Sequence, residues 1–159
     1  MSGSALPSGK STGMSLTEEA TARSLILGLI YRYASVAREN HDHGQITELF
    51  ELDGIVQFPD GSELEPSRLG EITGTNPPKL LRHHLTTVDI QFISPDEAHC
   101  QSYVIAGTHL KLPDHWGRWD DVVKRQNNGR WLFKKKIILV DGMDPNGWLI
   151  TTLGPPGDT

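Results

Sequence analysis

The chain has 159 residues, 36% apolar and 22% charged, with a formal net charge of −5. That length favours one domain with a real core, and the composition is that of an ordinary globular protein. No apolar run approaches the roughly 18 residues of a membrane helix, the acidic balance argues against nucleic acid, and the single cysteine, Cys100, excludes an intrachain disulfide framework and suits a reducing cytoplasm.

Residues 1–14 are rich in Ser, Gly and Pro and read as a disordered lead. Gly9-Lys10-Ser11 matches the end of a phosphate loop, but the upstream glycine is misplaced and no strand precedes it. Ser15 and Glu18 form a capping box that predicts a helix to about Asn40. Ala22, Ile26, Leu29, Ile30, Tyr33 and Ala37 supply its apolar face. Asp42 with Gln45 caps a second, short helix through Phe50. A strand over Gly54–Phe58 then closes at the turn Pro59-Asp60-Gly61. A further short helix is predicted around Ser67–Ile72, and Pro77-Pro78 ends any helix there.

From Leu81 onward the pattern becomes that of strands. His84–Ile93 alternates, with Val88, Ile90 and Phe92 on one face. Glu97–Leu110 returns after the turn Ser94-Pro95-Asp96, and Lys111–Trp116 reads as a loop. Gly117–Arg125 and Arg130–Val140 form a hairpin through Asn128-Gly129, a type I′ turn signal, and Lys134-Lys135-Lys136 reads as a strand with a solvated face. The segment after Asp141 has no clear period. Residues 15–141 therefore form the domain, with 142–159 a tail. The expected fold is α+β: two to three N-terminal helices packed on a strongly bent antiparallel sheet.

Arg82-His83-His84 is the segment most suggestive of chemistry, because imidazole exchanges a proton near neutral pH. Strict alternation back from Phe92 places His84 on the core face. His109 ends the next strand, in parity with Tyr103 and Ile105, and Asp121 shares a face with Trp119, where a buried carboxylate needs a partner. Glu39 closes the first helix. Asp42 is explained as a cap, although it remains a second candidate acid. His41 and His43 flank it and suggest a metal reading with His83 and His84. No alignable spacing such as HExxH supports that reading, so no metal or cofactor is expected.

Three segments together carry a family resemblance. They are Arg38-Glu39-Asn40-His41-Asp42 with Leu49-Phe50 and Asp53-Gly54-Ile55-Val56; Arg82-His83-His84-Leu85-Thr86-Thr87; and Gly117-Arg118-Trp119-Asp120-Asp121 with Gly129-Arg130-Trp131. In order and spacing, over roughly residues 18–140, the chain resembles the SnoaL-like branch of the nuclear transport factor 2-like superfamily, nearest its scytalone dehydratase-like group. The resemblance implies a cone-shaped α+β barrel and a cofactor-independent dehydratase-type lyase or an isomerase. It nominates His83 rather than His84 as the acid/base, which requires a bulge or bend near Thr86–Val88. It places the partner acid on Glu39 and a second histidine on His109. The chain departs from the group at Arg38 and Phe58, where scytalone dehydratase has tyrosines. The implied cavity is lined by Tyr33, Phe58, Leu85, Ile105, Trp119 and Phe133. The implied partner is a small hydrophobic or aromatic ketone of polyketide or terpenoid type, and the implied assembly is a homodimer or homotrimer. A SnoaL-like cyclase and a non-catalytic small-molecule binding module are the alternatives, since fold does not decide chemistry.

Overall fold

The computed structural model describes residues 12–40, 42–72 and 74–154. Most of the lead segment, with Gly9-Lys10-Ser11, and also His41, lie outside them. Helix α1 (Leu16–Val36) starts at the expected capping box, with the Ser15 hydroxyl accepting from the Glu18 amide and the Glu18 carboxylate accepting from the Ser15 amide. It buries Ala22, Ile26, Leu29, Ile30, Tyr33 and Val36, and ends four residues before the expected Asn40. Asp42 caps the single turn α2 (His43–Thr47), and the chain then enters β1 (Phe50–Gln57) at the residue expected to close that helix.

The sheet is completed by β2 (Glu63–Leu64), β3 (Leu81–Ser94), β4 (Glu97–Thr108), β5 (His115–Arg125) and β6 (Trp131–Met143), in the order β2-β1-β6-β5-β4-β3. It curls over α1 without closing, and the residues of α1 share one apolar core with Phe50, Val56, Ile90, Val104, Trp119 and Phe133. Neighbours are antiparallel except β1 and β6, which run parallel, with β2, a helical segment and β3 to β5 intervening between them in the chain. A 3-10 segment over Pro66–Ile72 replaces the expected short helix. Helix α3 (Trp148–Leu153) forms in the expected tail and buries Trp148 and Leu149.

Two bulges decide which side chains face inward. In β3 the pairing shifts between Leu85 and Thr87, so Leu81, His83 and Leu85 point in before it and Val88, Ile90 and Phe92 after it. The shift between Val122 and Val123 in the β5–β6 pairing likewise turns Phe133 and then Lys136 inward. Lys136 thus departs from the solvated face expected for the basic cluster; Lys134 and Lys135 keep to it, pairing with Asp53 and Glu63. The β5–β6 connection is not the expected type I′ turn. Gly129 is left-handed (φ 82°) but Asn128 is not, and the Gly129 amide donates to the Gln126 carbonyl at 2.8 Å. That is a three-residue loop closed by a left-handed glycine.

Candidate active site

A cavity of about 330 Å³ opens at the end of the sheet beside the C-terminus of α1, walled by Tyr33, Phe58, Leu69, Trp119, Ile138 and Trp148 among others. Its size and apolar walls suit a small organic ligand. Three imidazoles line it, those of His43, His83 and His115, and the His83 and His115 rings lie with centroids 6.3 Å apart. His83 also packs edge-on against Trp119 at 5.3 Å.

The last carbonyls of a helix lack intrahelical partners, and His83 uses one. Its Nδ1 lies 2.9 Å from the Ala37 carbonyl oxygen just past α1. A carbonyl only accepts, so Nδ1 carries the proton and Nε2 is the basic nitrogen. Burial, reinforced by the neighbouring His115 and Lys136, pulls the ring's pKa down to about 3 against the opposing Ala37 bond. His83 is therefore neutral at ordinary pH.

His115 is held by a carboxylate. Its Nδ1 donates to Asp114 Oδ1 at 2.8 Å, which fixes the same tautomer and again leaves Nε2 as the acceptor. Burial lowers the ring's pKa below 6.5, and the Asp114 bond works against that fall. Burial also opposes the charge on Asp114, but donors from His115, Trp148 and Thr108 hold its carboxyl below the usual range. Protonating His115 would place an imidazolium against an anion, so this ring is the better supported base.

The expected site residues divide. His83, Glu39, Tyr33, Phe58 and Trp119 line the cavity. Glu39 nevertheless does not hold His83. Its carboxylate accepts from the Leu81 amide at 2.8 Å and from Arg82 at 2.6 Å, and the Arg82 bond, against some desolvation, keeps its pKa at about 2. His84 is exposed on the outer face. His109 is also exposed, its Nδ1 accepting from the Lys79 amide at 3.2 Å. The parity assumed for β4 is reversed: Ala98, Cys100, Ser102 and Val104 point inward, while Tyr103 and Ile105 are exposed. Leu85 packs against the core, Phe133 is fully buried within it, and neither lines the cavity. Asp42 caps α2 through the Gly44 amide at 2.8 Å and does not itself line the cavity, although its neighbour His43 does.

The partner that a buried Asp121 needs is Lys136. Both its oxygens accept from Lys136 Nζ at 2.9 Å, and both side chains are fully buried. The ammonium lies 4.1 Å from the Trp119 ring centroid, 4.3 Å from Tyr33 and 4.6 Å from Phe133. Asp114 and His115 are the site residues that sequence reasoning passed over. An Asp-His pair directly before a strand was the available signal, hidden because Lys111–Trp116 reads as a loop. Among the described residues no cluster of three or more His, Cys, Asp or Glu is arranged to hold a metal, and no helix is long and apolar enough to cross a membrane.

Residues 18–136 match the SnoaL-like domain family. A provisionally designated scytalone dehydratase from Novosphingobium aromaticivorans superposes with a TM-score of 0.70 at 22% identity, covering 82% of this chain and 91% of its own. The hexachlorocyclohexane dehydrochlorinase LinA-type3 of Novosphingobium barchaimii gives 0.70 at 15%, covering 82% and 94%. A single-substitution variant of a Mycobacterium tuberculosis protein of unknown function gives 0.69 at 20%, covering 82% and 78%. At these identities the likeness is one of fold. No curated protein matches the chain in sequence. With the family match spanning most of the chain, the protein belongs to the SnoaL-like domain family.

Proposed function

We propose that the protein is a cofactor-independent lyase or isomerase acting on a small, largely apolar hydroxy ketone of polyketide or terpenoid type. The observation that carries this reading is the pair of neutral imidazoles on one apolar cavity wall, each with Nδ1 engaged and Nε2 available. The relatives designated dehydratase and dehydrochlorinase support elimination as the reaction class.

In the elimination, His115 Nε2 removes a proton from the carbon beside the substrate carbonyl. The electron pair forms a carbon–carbon double bond as the adjacent carbon–oxygen bond breaks. The departing hydroxyl takes the proton back from His115 and leaves as water. Asp114 stabilises the transient imidazolium. His83, neutral throughout, accepts a hydrogen bond from a substrate hydroxyl and orients it. Isomerisation needs only that the proton return to a different carbon. The aromatic walls exclude water, which strengthens each of these interactions.

The test is a panel of β-hydroxy ketones that fit the cavity, with water loss followed by the absorbance of the conjugated product. Turnover by the wild type and its loss in folded His115→Gln support the reading. Binding without turnover across the panel contradicts it and favours the binding module. The exposed Tyr103 and Ile105 on the outer sheet face support a homodimer or homotrimer, which sedimentation would detect.

A further inference from the structure

Helix α3 and the ring of His115 hang from one carboxylate. Asp114 Oδ1 accepts from His115 Nδ1 at 2.8 Å and from the Leu149 amide at 3.2 Å. Its Oδ2 accepts from Thr108 Oγ at 2.9 Å and from the Trp148 amide. The side chain is wholly buried. Its main chain is held as well, with the Asp114 amide donating to Ala106 at 2.8 Å and its carbonyl accepting from Asp144 at 2.7 Å.

A second, independent feature serves this arrangement. Gly147 precedes α3 with an ordinary φ of −80°, so its backbone does not require glycine. Space does: a Cβ there would stand 2.7 Å from Asp114 Oδ2 and 3.0 Å from Cγ. The missing side chain lets the first turn of α3 close onto the carboxylate. Trp148 then anchors the helix, buried in the cavity wall with Nε1 donating to the Asn76 carbonyl at 2.8 Å.

Resting on the reading of His115 as the base, we propose that Asp114 is a positioning residue that makes docking of α3 a condition for His115 to present a single, basic Nε2 to the cavity. Two of the four donors on this carboxylate come from α3. Releasing the helix leaves a buried anion two hydrogen bonds short. Such a group turns toward water, and the imidazole loses the acceptor that selects its tautomer. The C-terminal helix is thereby part of the base, although none of its side chains contacts the imidazole through a hydrogen bond.

The test reads the ring nitrogens of His115 by nitrogen-15 NMR in the unliganded full-length chain, together with amide exchange at Trp148 and Leu149. The wild type should show protonated Nδ1 and bare Nε2. Gly147→Ala, which wedges a methyl against Asp114, should speed exchange at both amides by about tenfold or more and produce a mixture of tautomers. If that variant does not fold, Leu149→Pro removes one donor in the first helical turn, where proline is tolerated, and should give the same mixture. A single unchanged tautomer overturns the proposal in Gly147→Ala when its α3 amides exchange faster, and in Leu149→Pro, which lacks the Leu149 donor, whatever the exchange. The measurement needs no turnover, so it fails or succeeds separately from the lyase reading. On a turned-over substrate kcat should fall, and KM should rise with it because Trp148 and Leu149 of α3 line the cavity.

Discussion

Two carboxylates are buried along β5, Asp114 at its entrance and Asp121 at its centre, and they are used differently. Asp121 spends both oxygens on Lys136, whose ammonium is enclosed by three aromatic rings. Burial raises the pKa of Asp121 and lowers that of Lys136, with each charge partly restoring the other. The pair is closed: its two side chains bond to each other and neither lines the cavity. Asp114 instead holds a neutral ring that keeps one nitrogen unused and lines the cavity. Strong perturbation of pKa therefore does not by itself distinguish a structural pair from a reactive one. The reactive pair is the one with an unused acceptor nitrogen beside a space a substrate can enter.

That contrast can be broken from either side. The largest expected effect is on chemistry. His115→Gln should reduce turnover by about 10²- to 10⁴-fold, the usual worth of a positioned acid/base, while thermal unfolding stays near that of the wild type. Removing one partner of the closed pair should strike stability instead. Asp121→Ala leaves an uncompensated buried ammonium and should cost about 3–5 kcal/mol in denaturant unfolding, whereas Asp121→Leu with Lys136→Met should recover most of it.

The next effect is on pH dependence. The pKa of His83 is depressed to about 3 by burial from 6.5. Between those values the unfolded chain binds a proton that the folded ring refuses. The contribution is thus fully present above 6.5 and is lost as pH falls toward 3. Unfolding measured across that window should show the decline, and His83→Asn should flatten part of it. The smallest effect concerns Ser102, whose buried Oγ has no hydrogen-bond partner among the described residues. Ser102→Ala should be neutral or stabilising by about 1 kcal/mol or less, read as a small rise in melting temperature.

Local chemistry made much of the fold legible in the sequence. The capping box and the 3.6-residue spacing placed α1, and period-two alternation placed the strands. What alternation could not supply was parity after a bulge, because one extra residue exchanges the two faces for everything beyond it. That is why Val88, Ile90 and Phe92 nominated His84, whereas the family motif, by requiring a bend, nominated His83. The same effect hid Lys136 among surface lysines. Partner identity was illegible for a different reason: Asp121 lies across from Lys136, and Asp114 meets Trp148 and Leu149, only once strand register and the C-terminal turn are set. Helix α3 escaped notice because its six residues lack a side-chain cap, their first turn being held by a residue 34 positions earlier.

Exchange of the α-proton of a cavity-sized ketone in deuterium oxide separates the roles of the two carboxylates directly. Wild type and the Asp121→Leu/Lys136→Met variant should both catalyse it, and His115→Gln should not. Exchange that persists without His115, or that disappears with the closed pair while the fold remains, would contradict the division between a structural and a reactive carboxylate.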